Sequence, residues 1–163
     1  MSTQEIESLR VEFSVPFVRG KERPRVVKGH AYTPEGTIAS ERLAWTAFTD
    51  ECRRLYGRIV TAPEGVPVRL HIAAYGTMPA SRPKKDGNSE PFTFKPDADN
   101  IAKLILDALS YKTRIDSDGM LRVLQQGAWM DDRQVVSVDI CKVARYRGVR
   151  PHTDVIVTWP YDY

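Results

Sequence analysis

Two pairs of aspartates carry the strongest chemical pattern in this sequence. Asp97 and Asp99 stand one residue apart at the start of an apolar, helix-like segment, and Asp131 and Asp132 adjoin each other farther along. Clusters of carboxylate oxygens suit a hard divalent cation such as Mg²⁺. Carboxylates that converge without partners repel one another and raise one another's pKa, whereas a bound cation removes that conflict. The pattern therefore favours a metal site over four unrelated surface aspartates.

Simpler interpretations of single residues stay open at this stage. The free N–H groups and the dipole at a helix N-terminus favour a carboxylate, so Asp97 or Asp99 can be a helix cap. That explanation accounts readily for one of the two and less well for the other. Lys103 follows Asp99 by four residues and shares its helix face. It either forms a surface ion pair of small value or, in a nuclease, neutralises charge on the scissile phosphate.

The elements that must position these residues follow from hydrophobic periodicity. Residues 9–15 and 68–75 alternate between apolar and polar side chains, as half-buried strands do, and residues 135–143 and 154–159 are further strands. Apolar residues recur at helical spacing from a cap at Thr37 or Ser40 to about Arg58, and again from a start near residues 97–99 to Leu109. Residues 25–28 and 31–33 are predicted to form a short hairpin across Gly29 and His30. The order predicts one α+β domain over residues 1–163, a mixed sheet with two helices packed on one face.

Two segments between these elements have no clear secondary structure. Residues 79–94 are rich in glycine, proline, serine and charge. A loop of this length in a compact domain is functional or mobile, so a mobile, substrate-handling loop is predicted. Residues 110–128 contain a turn around Asp116 and a short apolar run, and they are treated as an insertion.

The distribution of charge indicates a polyanionic partner. The chain has 24 basic and 21 acidic residues and a net charge of +3, but its basic residues are clustered. Each cluster alone is more often a solvated loop than a phosphate contact, while several on one chain form local basic patches. The predicted DNA contacts are Arg19, Lys21, Arg23, Arg25, Lys28, Lys84 and Lys85. The first basic cluster lies within residues 19–28, the second comprises Arg82, Lys84 and Lys85, and the third comprises Lys142, Arg145, Arg147 and Arg150.

Several classes of protein are disfavoured by composition. No apolar run approaches the roughly 18 residues of a membrane span, and the N-terminus lacks the pattern of a signal peptide. No membrane association and a cytoplasmic location are therefore expected. The chain has only 2 cysteines, Cys52 and Cys141, which are too few and too far apart for a disulfide framework or a zinc site.

The motifs together resemble the RusA-type Holliday-junction resolvases. The matching residues form a D-x-D-N-x-x-K helix head at 97–103, a D-A-L helix end at 107–109 and a D-D-x-Q-V strand opening at 131–135. The early Val15-Pro16 and the later Arg23-Pro24-Arg25 are similar to the family's N-terminal region. The resemblance runs from about residue 10 to 158, although residues 110–128 replace a connection that is usually short.

The resemblance implies a homodimeric endonuclease that acts in DNA recombination and repair. Such an enzyme depends on Mg²⁺, with Mn²⁺ as a possible substitute, and nicks two strands of a four-way junction symmetrically. The metal ligands would be Asp97, Asp99 and Asp132, with Asp131 as a supporting acidic residue and Lys103 as the essential lysine. The metal would activate a water and stabilise charge on the phosphate during in-line displacement.

Two alternatives to a junction resolvase remain. One is a non-catalytic protein that binds branched DNA and uses its aspartates only as caps and braces. The other is a nuclease that prefers flaps or replication forks.

Overall fold

A five-stranded mixed sheet, covered on one face by two helices, is the core of the computed structural model, which describes residues 6–161. Residues 1–5, which bear on the expected absence of a signal peptide, lie outside the described range. The five strands are β1 (Leu9–Val15), β4 (Val68–Thr77), β5 (Ser89–Glu90), β8 (Val135–Tyr146) and β9 (His152–Trp159). Their order across the sheet is β1-β9-β4-β8-β5. Only the β4–β8 pair is parallel, and the other neighbours in this sheet are antiparallel.

Alternation along the strands builds the core. In β1, Val11, Phe13 and Val15 are buried while the residues between them are exposed. The register places Val11 opposite Val157 and Phe13 opposite Val155, so the same face of the sheet is apolar across neighbouring strands. Helices α1 (Glu35–Tyr56) and α2 (Ala98–Leu109) cover that face. The predicted α+β fold with two helices on a mixed sheet is confirmed.

The start of α1 differs from its prediction. The helix begins at Glu35, directly after Pro34, and neither Thr37 nor Ser40 is its cap. Proline is favourable there because its fixed φ is compatible with a helix start and its missing N–H is not needed. Thr37 and Ser40 are instead buried, and their hydroxyls accept hydrogen bonds from the segment that follows β1. Gly57 ends the helix in the left-handed conformation, with φ of 71°.

Contacts from Arg145 on β8 and from Arg147, directly after it, hold the long loop at residues 79–94. The Arg147 guanidinium donates hydrogen bonds to the carbonyls of Arg82, Pro83 and Gly87. Glu90 forms ion pairs with Arg82 at 3.0 Å and with Arg145 at 3.2 Å. Part of the third basic cluster therefore binds the protein's own loop. The expected mobility of this loop stays a prediction.

Residues 110–128 form a hairpin outside the main sheet. Strands β6 (Lys112–Ile115) and β7 (Leu121–Gln125) pair with each other, and the turn predicted around Asp116 joins them. The sequence does not predict these two strands, because they bury few side chains and therefore show no alternation of apolar and polar residues. Ile115, Leu121 and Val123 are exposed on one face of the hairpin. The other short hairpin, β2 (Arg25–Val27) with β3 (His30–Tyr32), was expected from the sequence.

Two smaller expectations concern membranes and cysteines. Within residues 6–161, neither helix has the length and apolar character needed to cross a membrane. Cys52 is buried in the core and Cys141 is exposed on β8, and both thiols are free.

Candidate active site

The head of α2 presents the first pair of aspartates to solvent. Asp97 occupies the N-cap position, with φ of −70° and ψ of 148°, but its side chain makes no capping hydrogen bond. Its backbone carbonyl instead accepts from the N–H groups of Asn100 and Ile101, each at 3.1 Å. Asp99 lies in the first turn, and both aspartates are exposed. Because the Asp97 carboxylate is not used as a cap, the capping interpretation does not account for this pair.

A polar stripe continues from the head of α2 along the helix. Asp99, Lys103 and Asp107 follow at intervals of four residues and share one face, while Ile101, Leu104 and the other apolar residues of α2 are buried on the opposite face. The Lys103 ammonium lies 3.4 Å from the Asp99 carboxylate, and both side chains are largely exposed. This ion pair is weak at such exposure, so Lys103 is available to a phosphate group.

A cleft of about 600 Å³ opens beside this stripe. Its second wall is the segment that follows β1, which passes over the head of α2. The walls thus combine four acidic side chains, among them the exposed Asp97 and Asp99, with two lysines and an arginine. The lining residues are Lys21, Glu22, Arg23, Pro24, Asp97, Asp99, Asn100, Lys103 and Asp107.

The second pair of aspartates lies at the other end of α2. Oδ1 of Asp132 accepts hydrogen bonds from the Ser110 hydroxyl at 2.8 Å and from Trp129 Nε1 at 2.9 Å. Ser110 is the C-cap of α2. Trp129 is fully buried, and its backbone forms isolated parallel β-bridges with Ser110 and with Ala62. These contacts fix Asp132 at the tail of the helix.

Asp131 serves the local structure. It caps the 3₁₀ turn Asp132–Gln134 in a capping box, accepting from the Arg133 N–H at 2.8 Å. The Arg133 guanidinium also pairs with it at 2.7 Å. The hydrogen bonds from Arg133 lower the pKa of Asp131 to about 2. Asp131 is thereby partly accounted for as a cap and an ion-pair partner.

The two aspartate pairs do not converge within one chain. From Asp99 to Ser110, the helix rises by roughly 16 Å at 1.5 Å per residue. Residues 6–161 accordingly contain no group of three or more histidine, cysteine, aspartate or glutamate side chains placed to hold one metal ion. Within the single chain, Asp132 therefore lies at the tail of α2 beside Trp129 and Ser110, and it does not converge with Asp97 and Asp99 as a metal site in one chain requires. The assignment of ligands itself stays a prediction.

The residues predicted to contact DNA differ in their solvent exposure and in their partners within the chain. Arg23, Lys28, Lys84 and Lys85 are exposed, and Lys84 and Lys85 stand on the 3₁₀ turn Lys84–Asp86 within the long loop. Arg25 lies 3.5 Å from Glu22, and Arg19 donates to the Ser40 hydroxyl at 3.1 Å. Lys21 is half-buried in an ion pair with Asp107. Sequence reasoning gave Asp107 no role, although its spacing from Asp99 and Lys103 on one helix face was visible.

The Asp131–Arg133 pair leads to a prediction about pH. We expect the Asp131 carboxyl to titrate near pH 2, because Arg133 stabilises its ionised form. A folded-state pKa below the unfolded value means that the pair contributes stability above about pH 4, which is lost as the pH falls towards 2. Carboxyl-carbon NMR titration of wild type and Arg133→Gln measures the shift.

The control for this titration is Arg53→Gln, which removes an exposed guanidinium paired with Asp50 at 3.7 Å on another part of the surface. Arg133→Gln should raise the Asp131 midpoint, and Arg53→Gln should leave it unchanged. An unchanged midpoint in Arg133→Gln would contradict the assigned cause.

Comparison with models of protein families identifies a match. A family model described as endodeoxyribonuclease RusA matches residues 16–122. The matched range includes the cleft, the head of α2 and Lys103, and it ends before Asp131 and Asp132. No curated protein matches the chain.

Proposed function

The chain belongs to the endodeoxyribonuclease RusA family, and on that premise we propose that it is a metal-dependent nuclease that resolves four-way DNA junctions during recombination and repair. One observation carries the proposal: the exposed carboxylates of Asp97 and Asp99 share a cleft with Lys103 and with basic residues of the segment after β1. This cleft combines ligands for a hard cation with groups that attract a phosphate. A cytoplasmic location is part of the same proposal.

The residues present fit part of a metal site. Asp97 and Asp99 supply two hard oxygen ligands, and Mg²⁺ is commonly held by one or two carboxylates together with substrate phosphates and waters. We propose Mg²⁺, with Mn²⁺ as a substitute. Bound there, the cation would supply an activated water and charge stabilisation at the phosphate. Asp132, the third proposed ligand, is too far away along α2 to join this site within one chain.

A second copy of the chain completes the proposed site. If two copies lie side by side in opposite directions, the head of α2 in one approaches the tail of α2 in the other. Asp97 and Asp99 of one copy then meet Asp132 of the second. A twofold axis makes the same contact twice, because residues in such an interface meet reciprocally. Two equivalent sites in one homodimer suit two symmetric nicks in a four-way junction.

The chain's own residues have distinct roles in this proposal. Lys103 turns from Asp99 to the scissile phosphate and neutralises charge there. The Ser110 hydroxyl and the Trp129 indole both donate to Oδ1 of Asp132, which holds the carboxylate in one orientation. Asp131 supports this arrangement by capping the turn that carries Asp132.

One experiment tests the nuclease function. Purified protein with Mg²⁺ is incubated with a synthetic four-way junction, a flap, a fork and a plain duplex, and the labelled strands are separated by size. Nicking of the junction in preference to the other substrates is expected, as is its loss in Asp97→Asn. Junction binding without nicking in Mg²⁺ or Mn²⁺ would favour the non-catalytic alternative, for which the structural use of Asp131 is the supporting observation. Preferential cutting of the flap or fork would favour the third candidate.

The exposed basic residues are proposed to contact the DNA backbone. In Arg23→Ala/Arg25→Ala, the affinity for a junction should fall and the slope of log K against log salt should flatten by up to about 2, since each lost phosphate contact removes nearly one released counterion. Fluorescence anisotropy across a salt series measures both quantities. Arg53→Ala/Arg54→Ala on α1 is the matched control. An unchanged slope would remove Arg23 and Arg25 from the interface.

A further inference from the structure

Residues 18–22 cross the head of α2 without joining a strand or a helix, and both helices bind them. The Lys21 N–H donates to the Asn100 carbonyl at 2.9 Å. On the other side, the Arg19 guanidinium donates to Ser40 at 3.1 Å, and the Glu22 N–H donates to Thr37 at 3.3 Å. These bonds fix the segment at the junction between α1 and α2.

Gly20 allows the closest approach between this segment and α2. A Cβ atom at Gly20 would lie 2.8 Å from Asn100 Cβ and 3.1 Å from Pro96 Cβ. Contacts this short force one of the two backbones to move, so glycine is required by the packing. The backbone of the segment therefore lies directly against the first turn of α2.

The Lys21 side chain adds the longest-reaching contact. Its ammonium forms an ion pair with Asp107, two helical turns beyond Asp99 on the polar stripe. Both side chains are about one-third exposed, at 32% and 39%. The hydrogen bond with Asp107 raises the pKa of Lys21, and nearby Glu41 on α1 acts in the same direction. Glu41 itself pairs with Lys112 at 3.7 Å, which leaves Asp107 as the direct partner of Lys21.

We infer that Lys21 and Asp107 form a positioning pair that holds residues 18–24 along α2, so that Arg23 stands over the cleft containing Asp97 and Asp99. The inference rests on the proposed nuclease function for its role in cleavage. It changes the predicted role of Lys21, because an ammonium already neutralised by Asp107 acts as a tether for the phosphate-binding segment. It also gives Asp107 a role that depends on Lys21.

A double-mutant cycle tests the pair through activity. Lys21→Met keeps the aliphatic stem, and Asp107→Asn keeps the shape of the carboxylate. Each should lower kcat for junction cleavage roughly tenfold, because the basic wall of the cleft loses its position, while KM changes less than about twofold. The double variant should be no slower than either single variant, since both remove the same interaction.

A direct phosphate contact by Lys21 gives the opposite pattern. Asp107→Asn would then free the ammonium, so kcat would stay at the wild-type value and the salt dependence of binding would be unchanged or steeper. That pattern, or fully additive losses in the double variant, would overturn the positioning pair.

Limited proteolysis tests the tether without relying on activity. Asp107→Asn leaves residues 18–24 unaltered, so trypsin meets the same sites after Arg19 and Lys21. Loss of the tether should raise the cleavage rate there roughly tenfold, because local opening becomes easier. The matched control is Asp139→Asn, which removes an exposed ion pair with Arg69 on the sheet and should leave the rate unchanged.

The two readouts separate the possible failures. If wild type nicks no branched DNA, the proposed function fails, and proteolysis still decides whether the tether exists. If wild type cleaves junctions but Asp107→Asn matches wild type in both kcat and proteolysis, the positioning pair is wrong.

Discussion

Neither Asp97→Asn nor Asp132→Asn protein is expected to cleave a four-way junction alone, but an equimolar mixture of the two should cleave it. The reason is that Asp97 lies at the head of α2 and Asp132 at its tail, roughly 20 Å apart along the helix at 1.5 Å per residue. If each site takes the head of α2 from one copy and the tail from the other, a mixed dimer has one site with both substitutions and one with neither. The unaltered site is complete.

The expected recovery of cleavage activity follows from random pairing of the two variant subunits. Each variant alone should lose at least about 10³-fold in rate, since removing a metal ligand removes both the activated water and charge stabilisation. If subunits exchange freely, about half of the dimers are mixed and each carries one of two possible sites. The mixture should therefore reach about a quarter of the wild-type rate of first nicks. Its products should be singly nicked junctions, which denaturing gels with separately labelled strands distinguish from paired nicks.

A mixture of two head variants is the control for this experiment. Asp97→Asn mixed with Asp99→Asn alters the head of α2 in every subunit, so no complete site forms and no recovery is expected. Recovery in this control would indicate contamination or altered ligand use. No recovery in the Asp97→Asn and Asp132→Asn mixture, with subunit exchange shown by mass spectrometry, would place the whole site within one chain.

The same separation marks the limit of what the sequence predicts. Alternation and helical spacing placed α2 and the main strands within a few residues, because these patterns record which side chains are buried. Neither pattern predicts that the backbone of Trp129 forms a β-bridge with Ser110 at the tail of α2. This contact joins distant parts of the chain, so it becomes visible only when the sheet and helices are assembled. The motif therefore proposes which aspartates carry the chemistry, but it does not say where the second pair lies in the fold.

The basic clusters show the same limit in another way. Composition alone treats Lys21, Lys84 and Arg147 as equivalent positive charges near loops. In the structure, Lys84 is exposed, Lys21 pairs with Asp107, and Arg147 donates to carbonyls of the long loop. Whether a cation faces solvent depends on partners far along the chain. Local charge density consequently overestimates the number of cationic side chains that face solvent without a partner in the chain.

Lys103→Met should lower kcat for junction cleavage by roughly 10² to 10³-fold while leaving thermal stability almost unchanged. The substitution keeps the length of the side chain and removes the charge that would stabilise the phosphate in the transition state, a contribution of this size elsewhere. Lys103 and Asp99 form an ion pair with side chains 60% and 68% exposed, and such a pair contributes little to stability. Tm by calorimetry should change by no more than about 2 °C.

A loss of activity without a loss of stability would distinguish the two roles left open for Lys103, a surface ion pair and neutralisation of the scissile phosphate. Lys112→Met is the matched control, because Lys112 is also a partly exposed lysine in a long ion pair, 3.7 Å from Glu41, and should retain full activity. A purely structural Lys103 would give the same small change in both variants. If it contacts the phosphate, Lys103→Arg should also fall short of wild type, because a planar guanidinium does not reproduce the compact charge of an ammonium. Full activity in Lys103→Met would leave the cleft without its proposed phosphate-neutralising group and would remove this residue from the mechanism.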